Sequence, residues 1–365
     1  ANPIVITRNN KSIFLNNNSR DIDICIGNLF DKKLIKQCIK KSHIVMNLAA
    51  SVAGIEYNKN HPASIFKDNM EMFMNVIHEA AISKNIERFL VTSSACVYPR
   101  HCSIPTKEEE GSMGEPEPTN SGYGWSKRME EYLGQKYNEE YDLSVAIARP
   151  YNAYGPRDNF KKEMSHVIPS LIKKAFESKS GKLQVWGDGT HSRSFLYVDD
   201  FARGLIEVAA RYAKADPINI GANEETTIKE LAQIVCEKVS DVTEKKLEPV
   251  FDASGITGQP RRKCDTSKLE KELQFTTKVT EGEKIKNYDT VKLQIITSYV
   301  SDSLLGYEYE YSYTFSFYMS EVSSLPLKFE MRLTSEAKSP GAQLYSIDLK
   351  YTANANDIFE GYEFV

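Results

Sequence analysis

The sequence predicts an α/β fold in which helices cover both faces of a parallel β-sheet. Between residues 23 and 149, short apolar runs alternate with longer segments of helical character, as in sheets whose strands are joined by crossover helices. The run at 44–50 ends in small residues, and ligands of such sheets bind at the carboxyl ends of the strands. A Tyr-x-x-x-Lys motif, Tyr123 and Lys127, follows the next strand.

The first half of the chain supplies the predicted sheet. Its strands are expected at 3–7, 23–26, 44–50, 89–92 and 143–149, and its helices at 34–40, 63–84 and 118–141. The regular alternation favours a doubly wound, Rossmann-like arrangement over separate layers of strands and helices.

From residue 160 the strict alternation ends. Helices are expected at 167–178, 199–213 and 227–239, and short strands at 183–186, 193–198 and 217–221. Acidic residues open the helix at 199, where the helix dipole favours them, and Thr226 or Thr227 is a suitable cap for the last helix. This pattern predicts a small substrate lobe beside the sheet.

Beyond about residue 290 the composition changes. Runs rich in Tyr, Phe, Thr and Val, with strict alternation at 307–317, predict about four antiparallel strands. Their role stays open: a small β module, an oligomerisation element, a partner surface or a product of gene fusion. The sequence therefore predicts three parts, at 1–160, 161–290 and 291–365.

Composition excludes several classes of function. The formal charge of −4, from 46 basic and 50 acidic residues, offers no footprint for nucleic acid. No apolar run reaches the length that crosses a membrane, and no signal segment opens the sequence. The six cysteines and six histidines form no metal-ligand spacing, so no metal is expected. The cysteine pattern favours a reducing cytoplasm.

The glycine loop of dinucleotide-binding sheets is missing. Such a loop, Gly-x-x-Gly-x-x-Gly, follows the first strand and lets the backbone approach a pyrophosphate, but Gly27 is the first glycine here. In one interpretation, residues 3–7 are the second strand, the first strand and its loop lie upstream, and Arg8 meets the adenosine ribose. In the other, residues 3–7 are the first strand and the loop is deleted. Both predict an N-terminally incomplete dinucleotide-binding region.

The strongest chemical signal is the group of Ser94, Tyr123 and Lys127. On a helix, Tyr123 and Lys127 lie one turn apart on one face. An ammonium there stabilises a phenolate and lowers the tyrosine pKa, and the Ser94 hydroxyl can bond the same substrate oxygen. The alternative is a solvated helix face. The order of the motifs favours proton transfer to or from an alcohol or ketone.

Four segments resemble a known family. They are residues 49–55 (AASVAGI), 93–99 (SSACVYP), 152–160 (NAYGPRDNF) and 165–169 (SHVIP). Over residues 21–288 the chain resembles the extended short-chain dehydrogenase/reductases that act on nucleotide sugars, and within them the GDP-L-fucose synthases. GDP-mannose 3,5-epimerases share the second segment and are near relatives.

The resemblance implies catalytic roles. Tyr123 would give a proton to the sugar C4 oxygen, Lys127 would lower the tyrosine pKa and contact the nicotinamide ribose, and Ser94 would bond the same oxygen. Cys96 and His166 would invert C3 and C5, whose protons the 4-keto group acidifies. The alternatives are a buried cysteine behind a strand and a capping or core histidine.

The resemblance also implies binding residues. Arg193 would clamp the substrate diphosphate, with Arg261 as a weaker candidate for the same role. Asn152 would contact the sugar-phosphate or, alternatively, shape a turn, and Trp186 would line the nucleotide pocket or belong to the core. Cofactor contacts are expected from Asn28, Leu29, Leu48, Ala49, Ala50 and Asn69.

These inferences lead to one hypothesis and two alternatives. The hypothesis is a cytoplasmic, homodimeric epimerase/reductase that uses NADP, or alternatively NAD, on a nucleotide sugar, with a GDP-4-keto-6-deoxy-sugar favoured. The first alternative is a 3,5-epimerase of the GDP-mannose or heptose type that retains NAD without net reduction. The second is a non-catalytic binding or assembly protein on a degenerate dehydrogenase fold. No membrane or nucleic-acid partner is expected.

Overall fold

A computed structural model describes residues 3–8, 22–52, 54–156, 158–161, 165–253, 259–275 and 277, and the backbone of four later strands. The strands are β1 (Ile4–Thr7), β2 (Asp23–Ile26), β3 (Ile44–Asn47), β4 (Arg88–Thr92), β5 (Val145–Pro150), β6 (Ala153–Tyr154), β7 (Lys182–Trp186), β8 (Ser192–Arg193), β9 (Leu196–Tyr197), β10 (Pro217–Ile220), β11 (Thr226–Thr227), β12 (Glu248–Asp252), β13 (Arg261–Arg262), β14 (Tyr299–Leu304), β15 (Tyr307–Tyr318), β16 (Pro326–Ala337) and β17 (Ser346–Asn354).

The six predicted helices are present within a few residues of their expected bounds, and α2 and α8 were not predicted. They are α1 (Lys32–Ile39), α2 (Ile55–Asn60), α3 (Pro62–Ile82), α4 (Ser121–Tyr141), α5 (Val167–Glu177), α6 (Val198–Arg211), α7 (Ile228–Thr243) and α8 (Ser267–Leu273). Thr227, one of the two predicted caps, caps α7, and Glu230 completes a capping box. None of the described helices is both long enough and apolar enough to cross a membrane.

The central sheet is parallel and covered on both faces. Its strand order is β10-β5-β4-β3, and all three pairings are parallel. Successive side chains of a strand point to opposite faces. Leu90 of β4 accordingly packs in a cluster with α6 and α8, while Phe89 and Val91 pack in a cluster with α1 and α3. The predicted α/β class is therefore confirmed.

Within the described residues, the N-terminal strand is not part of the central sheet. β1 pairs with β2 in parallel, as a two-stranded sheet of its own. β3 is an edge of the central sheet, and within the described residues it does not pair with β1. As the first strand of a doubly wound sheet, β1 would be expected to stand beside β3. The pairing of β1 with β2 itself is compatible with both interpretations, since the second strand of such a sheet stands beside both the first and the third.

The segment predicted as a small lobe beside the sheet has a hydrophobic core of its own. α5 and α7 pack with β7 and β12, which are parallel to each other. A small sheet in the order β11-β8-β13 places Arg193 beside Arg262, which are register partners. Thus residues far apart in sequence meet at one end of the lobe.

Two predicted strands are shorter than expected. The run at 193–198 contains two strands, because β8 pairs with β11 and β13 whereas β9 pairs with β6. Ser194 lies between the two strands, and its buried hydroxyl donates a hydrogen bond to the Ala222 carbonyl. The strand predicted at 44–50 ends at Asn47, which leaves residues 48–50 as a loop at the carboxyl edge of the sheet.

The C-terminal prediction of about four antiparallel strands is confirmed. β14, β15, β16 and β17 follow one another as antiparallel neighbours. Most of the first predicted run, at 291–298, lies outside the described residues. Consecutive antiparallel pairing is the arrangement that short turns allow.

Candidate active site

Ser94, Tyr123 and Lys127 come together at the carboxyl end of β4. Ser94 lies two residues after the strand and accepts a hydrogen bond from the Cys96 amide at 3.2 Å. The Tyr123 side chain hydrogen-bonds to that of Ser94. One turn along α4, the Lys127 Nζ lies 5.6 Å from the centre of the Tyr123 ring. The spacing predicted from sequence thus places all three groups in one cluster.

Two glycines allow α4 to approach this cluster. A Cβ on Gly122 would collide with the backbone of Pro62, at the start of α3. A Cβ on Gly124 would lie 2.5 Å from the Cys96 carbonyl oxygen and 2.6 Å from Pro116. Because such contacts are shorter than van der Waals distance, side chains at these positions would push Tyr123 away from Ser94.

Burial keeps the Tyr123 side chain protonated at neutral pH. Desolvation raises the pKa of Tyr123 to about 12, although Lys127 opposes the shift. The sequence-based expectation of a lowered tyrosine pKa is therefore wrong for the protein without ligands, because burial outweighs the ammonium. A neutral tyrosine at pH 7 remains suited to giving a proton.

Lys127 has a buried acidic partner that the sequence reasoning missed. Its Nζ lies 2.9 Å from Oε2 of Glu130, and both side chains are at most 2% exposed. Burial opposes the charge on Lys127, but Glu130 and Tyr123 raise its pKa above the ordinary value. Burial raises the pKa of Glu130 to about 7. The i,i+3 spacing in a helix was the available signal.

A second buried ion pair fixes the loop that carries Ser94. Arg149 on β5 donates to Glu131 from Nε at 2.8 Å and from Nη2 at 2.7 Å. The same guanidinium donates to the Tyr98 hydroxyl at 3.1 Å, and Ser93 bonds Glu131. These bonds join α4, β5 and residues 93–98 into one unit, so the positions of Ser94 and Cys96 are set from both sides.

Cys96 faces nitrogen donors. Its Sγ lies 3.7 Å from Arg262 Nη1 and 4.0 Å from Asn120 Nδ2. Arg193 also lies near Cys96. The sequence reasoning missed Arg262 and Asn120, since they lie 166 and 24 residues from Cys96.

His166 lies at the start of α5, where its side chain is 53% exposed. Its Nδ1 lies 3.3 Å from Asp158 Oδ1, and this bond raises the pKa of His166. The described contacts do not connect His166 to Cys96, so the expected epimerase pair is not in direct contact.

The predicted substrate-binding residues occupy different environments. Arg193 is half-buried close to Cys96. The Arg261 side chain instead donates two hydrogen bonds to the Glu225 carboxylate, at 3.0 and 2.6 Å. Asn152 donates a hydrogen bond to the Ser194 carbonyl at 3.0 Å. This contact fits the alternative in which Asn152 shapes a turn. Trp186 is 55% exposed, so the alternative of a core tryptophan is wrong.

The adjacent arginines of β13 differ because strand side chains alternate between faces. Arg262 faces Cys96, whereas Arg261 is exposed and bound to Glu225. Of the two, Arg262 is the residue that the fold brings to Cys96; Arg261 was expected only as a second candidate for the substrate diphosphate.

The expected cofactor residues lie around the carboxyl edge of β3. Leu48 is 57% exposed, and Ala49 and Ala50 are half-buried. Asn69 is 2% exposed and uses its amide to hold both the N–H and the carbonyl of Ser51. Its contribution is therefore to fix this loop.

Asn28 and Leu29 lie after β2. Asn28 is exposed and accepts a bond from the Phe30 amide at 3.1 Å, while Leu29 packs against the core cluster of α1 and α3. Of these two, only the Asn28 side chain is open to a ligand.

One buried polar group at the carboxyl edge of the sheet lacks a partner among the described residues. The Thr92 hydroxyl, at the carboxyl end of β4, is buried and has no hydrogen-bond partner among the described residues. An orphaned buried hydroxyl at the ligand-binding edge of a parallel sheet is the type of group that a bound ligand satisfies. Tyr123 and Lys127 lie beyond the same edge. No group of His, Cys, Asp and Glu in the described part of the chain could hold a metal ion.

Comparisons with known proteins identify the family of the chain. Residues 2–221 match the family model described as NAD dependent epimerase/dehydratase family. The chain is 39% identical over 242 residues to a GDP-L-fucose synthase of Sinorhizobium fredii, covering 66% of this chain and 74% of that protein. It is 31% identical over 278 residues to a GDP-L-colitose synthase of Yersinia pseudotuberculosis, covering 73% and 86%.

Similarity in structure leads to the same family. A GDP-L-fucose synthetase of Naegleria fowleri bound to NADP superposes with a TM-score of 0.62 at 27% identity, covering 75% of this chain and 89% of that one. The family match spans more than half of the chain and includes Ser94, Tyr123 and Lys127. The chain therefore belongs to the NAD-dependent epimerase/dehydratase family, within the extended short-chain dehydrogenase/reductases.

Proposed function

We propose that this protein inverts stereocentres beside the ketone of a GDP-4-keto-6-deoxy-sugar and reduces that ketone with NADPH. The observation that carries the proposal is the cluster in which Ser94 bonds Tyr123, Lys127 lies against the tyrosine ring, and Cys96 follows Ser94 by two residues. The GDP-L-fucose and GDP-L-colitose synthases named above support the choice of sugar nucleotide.

Tyr123 and Ser94 act at the sugar C4 oxygen. Both hydroxyls converge on one point, so they can bond a single ketone oxygen. Because the pKa of Tyr123 is raised to about 12, the phenol is protonated at pH 7 and can give its proton to the oxygen as the ketone becomes an alcohol. The ammonium of Lys127 then stabilises the phenolate that remains.

Cys96 and His166 act on the neighbouring carbons. The 4-keto group acidifies the C3 and C5 protons. Removal of such a proton gives an enolate, and return of a proton from the opposite face inverts the carbon. We assign Cys96 to one face. His166, whose pKa Asp158 raises, can deliver a proton from the α5 side once the substrate lies between them.

The nicotinamide cofactor would lie between the loop at 48–50 and Lys127. When bound, it supplies the hydride for C4. Thr92, Leu48 and Ala50, at the carboxyl edge of the sheet, would hold it, and Asn69 fixes the loop through Ser51. The NADP in the structure of the Naegleria relative favours NADPH over NADH.

An isotope experiment tests the proposal. The protein is incubated with NADPH and GDP-4-keto-6-deoxymannose in heavy water, and the product is examined by NMR. We expect deuterium at C3 and C5 together with oxidation of NADPH. Cys96→Ser should lose the deuterium incorporation, Tyr123→Phe should lose the NADPH oxidation, and Cys102→Ser should retain both. Full deuterium incorporation by Cys96→Ser would contradict the assignment of Cys96.

The same experiment separates the alternatives. Deuterium incorporation without oxidation of NADPH would indicate a 3,5-epimerase. Binding of NADPH and NADH is measured separately by the fluorescence of the nicotinamide. If neither cofactor binds, a non-catalytic role is favoured.

We further propose a cytoplasmic homodimer. Exposed apolar side chains on α3 and α4, among them Met74 at 46% and Tyr132 at 52%, support an interface along these two helices. The six free thiols suit a reducing compartment. Light scattering tests the dimer by measuring the mass of the assembly. We also propose that the chain divides into three parts at residues 160 and 290.

A further inference from the structure

Two cysteines lie side by side in the N-terminal part of the fold. Cys25 is on β2 and Cys38 is on α1, and their side chains are hydrogen-bonding neighbours. Both line one cavity of about 290 Å³, together with Gln37 and Lys41. Cys25 is half-buried, whereas Cys38 is 5% exposed. Two thiols in contact across neighbouring elements are the starting arrangement for a disulfide bond.

The surroundings of Cys38 favour its uncharged form. Burial and the contact with Cys25 raise the pKa of Cys38 to about 12, although Lys41 opposes the shift. A disulfide is strongly oxidising where the protein stabilises the thiolate of the reduced form. Because the opposite holds at Cys38, a disulfide between the two residues would resist reduction once it has formed.

The contact joins two parts of the fold that strand pairing leaves separate. β2 forms a two-stranded sheet with β1, and the described strand pairings do not connect this N-terminal sheet to the central one. α1 packs on the central sheet, with Ile35 and Ile39 in the same core cluster as Phe89 of β4. A covalent link from β2 to α1 would therefore tie the N-terminal sheet to this core. It would also enclose the segment that carries Asn28.

We propose that Cys25 and Cys38 form a redox site, at which a hydroperoxide converts the two thiols into a disulfide that fastens the N-terminal sheet to α1. The more exposed Cys25 reacts first. Its sulfur attacks one peroxide oxygen, the O–O bond breaks, and the thiol proton leaves on the other oxygen, so that Cys25 becomes a sulfenic acid.

The second step closes the link. The Cys38 sulfur attacks the sulfur of Cys25, an S–S bond forms as the S–O bond breaks, and the hydroxyl group leaves with the Cys38 proton as water. The two thiols lose two electrons in all, and the peroxide gains them. In a reducing compartment such a link is transient, and a dithiol returns the pair to its free form.

Peptide mapping of the full chain tests the proposal. The reduced protein is treated with hydrogen peroxide under native conditions, unfolded in iodoacetamide and digested with trypsin, which cuts after Lys32 and Lys36 and so separates the two cysteines. We expect a peptide pair joined through Cys25 and Cys38, which is lost after treatment with dithiothreitol. Full alkylation of both thiols, or oxidation of Cys25 without a link, would overturn the proposal.

Cys236 is the matched control. It is 4% exposed, close to the value of Cys38, and burial alone raises its pKa. We expect Cys236 to remain open to alkylation once the peroxide-treated protein is unfolded. In Cys25→Ser, Cys38 should remain open as well. A link from Cys38 to another cysteine in this variant, at the yield of the original pair, would show that the pairing is not specific and would contradict the proposal.

Hydrogen exchange tests the fastening. The amides of residues 23–26 should exchange about ten-fold more slowly in the oxidised protein than in the reduced one, because the cross-link restricts opening of the N-terminal sheet. Residues 145–150, inside the central sheet, should exchange equally in both forms. Equal exchange at residues 23–26 would refute the fastening. Neither measurement needs sugar or cofactor, so its failure is distinct from failure of the deuterium experiment.

Discussion

Lys127 and Glu130 form an ion pair of 2.9 Å inside the protein, with side chains that are 2% and 1% exposed. Lys127 thereby serves two neighbours on one helix, the ring of Tyr123 and the carboxylate of Glu130. Any change of charge on Glu130 alters the field at the tyrosine.

Glu130 predicts a stability that depends on pH. Its pKa is about 7 in the folded protein, against an ordinary value of 4.5. Between these values the folded state keeps a proton that the unfolded state has lost. Its contribution to the free energy of unfolding therefore falls as the pH rises from 4.5 to 7, by about 3 kcal/mol in total.

The measurement is urea unfolding of the original protein and Glu130→Gln from pH 5 to pH 8. The difference between the two should change across this range because the variant cannot titrate. Glu139→Gln is the control, since Lys136 and Glu139 form the same i,i+3 pair on α4 at the surface. A constant difference between the original protein and Glu130→Gln would show that the carboxyl does not titrate there.

Glu131→Gln should lower the free energy of unfolding by about 3 kcal/mol, because it leaves the buried Arg149 charge without its partner. Urea unfolding at pH 7 measures the loss. Glu207→Gln, which breaks the exposed pair with Arg211, should change little. Similar losses in the two variants would mean that the buried Arg149 pair stabilises the fold no more than the exposed Arg211 pair does.

Gly124→Ala should destabilise the protein by about 2 kcal/mol despite the higher helix propensity of alanine. The added Cβ would meet a backbone oxygen at 2.5 Å, which cannot move away without shifting the Cys96 loop. Gly134→Ala, on the same helix, would meet the Val91 and Val145 methyl groups at 3.1 and 3.2 Å. These side chains can adjust, so its melting temperature should lie well above that of Gly124→Ala; the reverse order would contradict this packing.

Asp158→Asn should lower the pKa of His166, because the carboxylate that raises it is gone. The bond to Asp158 stabilises the folded protein below the ordinary imidazole pKa of 6.5, and this contribution is lost as the pH rises through the folded value. NMR titration of the imidazole protons measures the shift. The signal of His191, whose pKa burial and Arg193 lower, should stay in place; equal movement of both signals would indicate a general rearrangement.

Much of the fold follows from local pattern. The apolar runs that became β4 and β5 and the helices α3, α4 and α6 were predicted within a few residues, because burial on one or two faces imposes a period that the sequence displays. The run at 193–198 was predicted less well. Its two halves pair with different strands, and such partners are distant in sequence.

By itself, the sequence determined the type of chemistry. The spacing of Tyr123 and Lys127 is a property of one helix, and Ser94 and Cys96 belong to one short loop, so local geometry was sufficient to join them. Tertiary structure decided which charges surround them. Burial raises the tyrosine pKa that the sequence suggested would fall, and strand alternation turns Arg262 rather than Arg261 toward Cys96. Desolvation and contacts between distant segments depend on the whole fold, which no local pattern contains.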